Sequence, residues 1–424
     1  MEILIYLILL LLPLPLMVFL IKRKHYLYYL PPFMAFIGIY IFDIIGSIAV
    51  ISNESLFSWM YYFTLLLVVV FFYIFYIIIF YTKRKLFIEW NAVKDTNNYF
   101  IPLLLWVYPI FMFSLYSERH GLPPLFKVNF LAYTDMYALR AKGSTNLSEG
   151  IQWYLLAFNT IPAFILIYSY ILKSLNPSSK TKLIFFINLF LTLFFSSLFT
   201  QKSPYVYIII YMFVANLLLG GKAIKLKKVF GYFFLVIGVM IGMIRLYLMD
   251  RGFVEVLKVV PNYIFDRIFV TYTEAHAYII KIFPDQHDFF YGSAFSNPGH
   301  IFPFEPVDLS QFLGFWVNSR LENYASPSFS HGYANFGLIG FLLILFIMFF
   351  QLGLLQILIK KCPRNSLFLS LYVLIIPNML GYGNTGIQEI ITEIYVLLFI
   401  TLVFVFYFFR DIIIRFGFQA KTKT

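Results

Sequence analysis

Charge and cysteine are both scarce in this chain. Only 12% of its 424 residues are Asp, Glu, Lys or Arg, about half the ~25% of an ordinary soluble domain, so water is not the solvent for most of its surface. The single cysteine, Cys362, excludes an intrachain disulfide framework and a thiolate metal cluster. The sequence has no H-E-x-x-H zinc spacing, no serine nucleophile elbow and no P-loop. It also shows no internal repeat of the kind that builds inverted transporter halves. No basic stretch precedes the first apolar run and no small-residue cleavage site follows it, so that run is expected to remain as an anchor helix.

Apolar residues make up 61% of the chain, and its mean hydropathy is +0.82. They fall in runs long enough to cross ~30 Å of hydrocarbon as helices, and in lipid the backbone must hydrogen-bond within its own segment. The pattern predicts an all-α polytopic membrane protein with about eleven spans. They cover 2–21, 27–51, 56–81, 99–116, 151–172, 183–199, 204–220, 229–248, 333–359, 366–382 and 389–410. Three regions follow from this. Residues 1–248 carry spans one to eight and a polar loop, 117–150. Residues 249–332 form a large loop, and 333–424 carry the last three spans and a basic tail.

The formal charge of +12 raises nucleic acid as a partner, but the positions of the charges argue for a membrane instead. Five alternate loops and the tail hold 21 of the 32 Lys and Arg and only Glu89, Asp95 and Asp411 as acids. By the positive-inside rule these face the cytoplasm. The expected localisation is therefore the cytoplasmic membrane, with the N-terminus and both long loops outside and the C-terminus inside.

Within the large loop, Ile264, Phe265, Ile268, Phe269, Tyr272, Ala275 and Ile279 recur at helical spacing, opposite a stripe of Arg267, Thr271, Glu274 and Tyr278. This predicts an amphipathic helix over 263–281, lying on the outer membrane face or capping the bundle. The remainder, 284–331, reads as irregular chain packed by Phe and Trp316. Eighteen aromatic residues between 249 and 332 argue against disorder.

Two kinds of chemistry are candidates. Arg245, still inside an apolar run, would cost roughly 2.5 kcal/mol or more against lipid and is expected to face the bundle and hold an anion. Arg251, Arg267, Arg320, Arg119, Arg140 and Lys202 join it at the outer boundary, Lys202 beside the free amides of a helix start. For proton transfer the candidates are His331, Glu322, Glu274, Asp266 and His276; at the mouth of a helix beside Gly332, a histidine near its unperturbed pKa of ~6.5 could accept a hydroxyl proton.

The segment Ser330-His331-Gly332-Tyr333-Ala334-Asn335-Phe336-Gly337-Leu338-Ile339-Gly340 resembles the G-E-x-Y-x-N-F-G-x-x-G signature that closes the large external loop of bacterial O-antigen and related repeat-unit polymerases of the Wzy type. It is also similar to the His-containing end of the external loop in O-antigen ligases. Thr200-Gln201-Lys202-Ser203 resembles the short Ser/Thr-x-Arg-Gly turn of the same superfamily, with Lys for Arg. His331 replaces the signature's Glu. The Arg-x10-Gly motif of some members is absent: nine residues separate Arg140 from Gly150, and eleven separate Arg320 from Gly332.

The resemblance implies a metal-independent, cofactor-free glycosyltransferase of the membrane-embedded GT-C type. Its donor would be a glycan on undecaprenyl diphosphate, its acceptor a lipid-linked repeat unit, and a chain-length regulator a possible partner. His331, Glu322 or Glu274 would be the catalytic base, and the cations would bind diphosphate and glycan. A flippase or exporter of lipid-linked oligosaccharides and a ligase-like transferase are the alternative readings.

Overall fold

The structure is a computed structural model. It describes residues 2–22, 30–53, 56, 58–81, 100–127, 152–199, 203–220, scattered positions between 231 and 241, 253–295, 303–318, 324–361, 365–385, 401 and 405. Every regular element among the described residues is helical.

Among the described residues, eight helices are long and apolar enough to cross a membrane: α1 (Ile3–Ile21), α2 (Leu30–Ile51), α3 (Trp59–Tyr81), α4 (Phe100–His120), α5 (Trp153–Leu175), α6 (Ser179–Ser197), α11 (Ser328–Lys361) and α12 (Ser366–Asn378, continued to Gly383 by a 3-10 turn). A shorter apolar helix, α7 (Ser203–Gly220), occupies the place of the expected seventh span. Expected span eight is described only at scattered helical positions, and span eleven lies almost wholly outside the described residues.

The large loop contributes α8 (Phe253–Phe265), a π turn over Asp266–Val270, α9 (Thr271–Ile282) and α10 (Leu309–Asn318). The amphipathic segment thus starts ten residues earlier than its spacing predicts, and residues 309–318, expected to be irregular, are helical. Within that segment α9 is packed among the other helices. It buries Thr273, Ala275, His276, Ala277, Ile279, Ile280 and Ile282 against α2, α3, α10 and α11.

Helices α4 to α7 form one group, with α12 packed against α5 and α7; α1 to α3, α9 and α11 form the other. The 3-10 turn after α12 joins the groups by packing on the first half of α2, where Gly38 has no room for a side chain beside the Leu380 backbone.

Among the described residues, helix regularity fails at three comparable places, the π turns Tyr40–Ile45 in α2, Leu156–Thr160 in α5 and Asp266–Val270 in the loop. Such turns insert one residue into the helical register and gather at functional sites. The first and third face each other. Any Cβ at Gly46 would collide with the Phe269 carbonyl and the Thr273 hydroxyl.

Candidate active site at the broken helix

The conspicuous local structure lies where α11 begins. Helical geometry fails at Phe336 (φ −144°, ψ 23°) and Gly337 (φ 61°, ψ −147°). The latter is a region that L residues rarely adopt and glycine adopts freely, and the ring of Phe289 lies 3.0 Å from where a Cβ at 337 would stand. Expected to start at 333, the helix instead starts at Ser328, breaks, and continues to Lys361. The short leading piece lies flush on the continuing helix. Gly332 and Gly340 meet backbone to backbone, and a Cβ on either would collide with the other's carbonyl oxygen.

Asn335 ties this break to the loop. Its side-chain Oδ1 accepts hydrogen bonds from the backbone N–H of Gly292 (2.8 Å) and Ala294 (3.1 Å), and its Nδ2 donates to the His331 carbonyl (2.7 Å). The Ala334 and Asn335 carbonyls accept from Phe290 and Tyr291 N–H, both at 3.0 Å. Fully buried, Asn335 uses its whole amide dipole to hold residues 290–294. Between these anchors Tyr291 has φ 48°, a backbone cost of order 1–3 kcal/mol that surrounding structure must sustain. Its ring is 70% exposed. Phe336 and Trp316 are also exposed, at 40% and 41%, the Trp316 ring lying tilted against that of Phe312 in α10.

His331 sits on the inner side of this turn, 7% exposed, and its Nδ1 has no hydrogen-bond partner among the described residues. Glu274 is half-buried on α9, where burial, and then the neighbouring carboxylate of Asp266, raise its pKa. Tyr278, one turn on, has its own pKa raised by burial and by Glu274. Two of the three proposed acid–base residues therefore lie on helices that pack together, α9 and α11.

The cations are distributed differently. Arg119 is exposed on the last turn of α4, so it belongs to a helix and not to the polar loop expected there. Arg267 lies in the π turn over Asp266–Val270, with its side chain outside the described residues. Arg245, Arg251, Arg320, Arg140, Lys202 and Glu322 also lie outside them.

His276, a proton-transfer candidate from sequence, has a different part. It is fully buried, with Nε2 2.9 Å from the Thr64 hydroxyl and Nδ1 2.7 Å from the Ser330 hydroxyl. Thr64 Oγ1 donates its one proton to the Tyr61 carbonyl (2.7 Å), so it accepts from Nε2–H, and Nδ1 accepts from Ser330. This fixes a neutral imidazole of one tautomer. Burial lowers its pKa to about 3. The Ser330–His276 contact has the spacing of a nucleophile and its base, yet both side chains are fully buried and closed in by the rings of Tyr61 and Phe329. It clasps α9 between α3 and α11.

Asp43, which the sequence reading passed over, lies in the α2 π turn, is 0% exposed, and has no hydrogen-bond partner for either carboxyl oxygen among the described residues. The buried Tyr61 hydroxyl nearby has none either. An ionisable group at this depth marks a functional position by default. Its signal was a lone acid inside Tyr-Ile-Phe-Asp-Ile-Ile.

Comparison with protein-family models, with curated proteins and with solved structures gave no match for this chain.

Proposed function

We propose that this protein is a polysaccharide polymerase that joins oligosaccharide repeat units carried on undecaprenyl diphosphate, at the external face of the cytoplasmic membrane. The observation that carries this reading is the use made of the signature-like residues. Asn335, Gly337 and Gly340 are the ones that build the broken helix and pin the loop to it.

In the proposed reaction the acceptor sugar's hydroxyl oxygen attacks the anomeric carbon of the donor glycan. The bond from that carbon to the diphosphate oxygen breaks, and the hydroxyl proton passes to a base among Glu274, Glu322 and His331. Undecaprenyl diphosphate leaves as an anion, and Arg245, Arg251, Arg267, Arg320, Lys202, Arg140 and Arg119 are the candidate cations to offset its charge. The raised pKa of Glu274 brings a carboxylate closer to the working pH, where general-base catalysis is most effective. Exposed Tyr291, Phe336 and Trp316 offer faces on which sugar rings can stack.

A ligase-like transferase is the second reading, favoured by His331 where the polymerase signature has Glu. The deciding experiment supplies purified undecaprenyl-diphosphate repeat units to the protein in liposomes without added divalent metal. A ladder of products differing by one repeat unit is expected. Single transfer to a different acceptor supports the ligase, and the absence of any transfer by folded protein overturns both readings.

A further inference from the structure

A cavity of about 210 Å³ opens between α5, α6, α7 and α12, away from the broken helix. Its wall includes the side of α5 where the π turn Leu156–Thr160 sets Asn159 and Thr160, together with Ser196 of α6, Tyr207 and Tyr211 of α7, and Asn378 of α12. Four helices thus each supply polar groups to one space in a region where most neighbours are apolar.

Among the described residues the lining contains no Asp, Glu, Lys, Arg or His, so those side chains offer a diphosphate or a metal ion no charge. Two amides, two small hydroxyls and two phenols provide both donors and acceptors on neutral groups. Ala163, Ile208 and Leu374 make the rest of the wall apolar. Alternating neutral hydrogen-bonding groups with apolar and aromatic surface matches a sugar ring, whose hydroxyls need partners while its C–H faces need apolar cover. The volume is several times the ~30 Å³ share of one water, the scale of a single ring. The Asn378 Nδ2 donates to the Leu374 carbonyl (3.0 Å), which leaves its side-chain oxygen as an acceptor toward a hydroxyl, a partner an acyl chain cannot supply.

We infer that this cavity is a binding site for one uncharged sugar residue. The inference deepens the proposed function by giving a glycan unit a second seat remote from the broken helix, and it rests on that function only for what carries the sugar. Pro204 lines the cavity at the start of α7, next to the Thr200–Ser203 turn that the charge pattern assigns to the outside.

The test uses the purified full chain in detergent, with the methyl glycosides of glucose, galactose, mannose, N-acetylglucosamine and N-acetylgalactosamine as probes. Binding is read by saturation-transfer NMR, with no lipid-linked donor and no turnover. At least one glycoside is expected to receive magnetisation, and its signal should drop at least fivefold in Asn159→Leu. Asn378→Leu, on a different helix, should do the same, and the melting temperature of each variant reports folding. No transfer to any of the five from folded protein overturns the site. So does an undiminished signal in both folded variants, or displacement of the glycoside by decanol with the signal moving to the alkyl chain. Because no polymerisation is measured, sugar binding can stand if the polymerase reading falls, and a working polymerase with no glycoside binding removes this site alone.

Discussion

The side-chain carbonyl of Asn335 accepts the backbone N–H groups of both Gly292 and Ala294, and so holds the exposed, positive-φ Tyr291 between helix break and loop. Removing this acceptor leaves two buried donors without partners, at a cost of about 1–3 kcal/mol for each. Asn335→Ala should therefore lower the melting temperature markedly and open residues 286–295 to protease. Asn335→Asp keeps the acceptor and loses the donor to His331, so it should fall between Ala and wild type. Equal behaviour of the two variants would contradict the pinning role.

Gly337 gives a more local test. Gly337→Ala places a methyl group in a backbone region costing about 1–3 kcal/mol and 3.0 Å from the Phe289 ring. The expected result is a destabilised protein, partly restored by Phe289→Leu, which vacates the space the methyl needs. No restoration would mean that the backbone strain alone is responsible.

Glu274 bears on the chemistry. Its folded pKa is raised, so ionisation disfavours the folded state, and the stability it contributes at low pH is lost as pH climbs from the unfolded value of ~4.3 through the folded one. In the proposed role of base it would work only when ionised, so the rate of the proposed polymerisation should rise through the same window. Glu274→Gln should flatten that limb and slow the reaction by roughly 10²–10⁴. A retained limb in the variant assigns the base elsewhere.

His276 acts in the opposite direction. Its folded pKa of about 3 lies below the unfolded ~6.5, so the unfolded chain takes up protons first. Stability is complete above ~6.5 and is lost as pH falls towards 3. Melting temperatures at pH 4 and pH 7.5 should differ in wild type, and the difference should shrink in His276→Gln, which can still reach Thr64 and Ser330.

Tyr61 is fully buried and its hydroxyl makes no hydrogen bond of good geometry among the described residues; the Thr273 hydroxyl beside it keeps its bond to the Phe42 carbonyl, so Tyr61→Phe removes a desolvated group and strands nothing. We expect an unchanged or raised melting temperature. A loss of several degrees would mean the hydroxyl has a partner in the membrane.

Much of this architecture could be read from composition. The membrane helices are legible because an apolar run of eighteen residues or more has few other uses, and Arg119 was misplaced only because a polar end of α4 looks like a loop. The π turns were not legible, since an extra residue in a helix is decided by what packs on it, as Gly46 against Phe269 shows. The segment from Ser330 to Gly340 drew notice for His331, while its local consequence came from Asn335 and Gly337. Phe-Gly followed three residues later by Gly was the available sign of a break. His276 misled because histidine in a polar stripe carries no mark of burial; Thr64, its partner, is 212 residues away.

The two facing π turns have one more consequence. With Gly46 against Phe269, and the Thr273 hydroxyl 2.7 Å from the Phe42 carbonyl, α9 is meshed with α2 like a tooth in a gear. It cannot lift without stripping those contacts, so any movement of α9 must carry α2 with it.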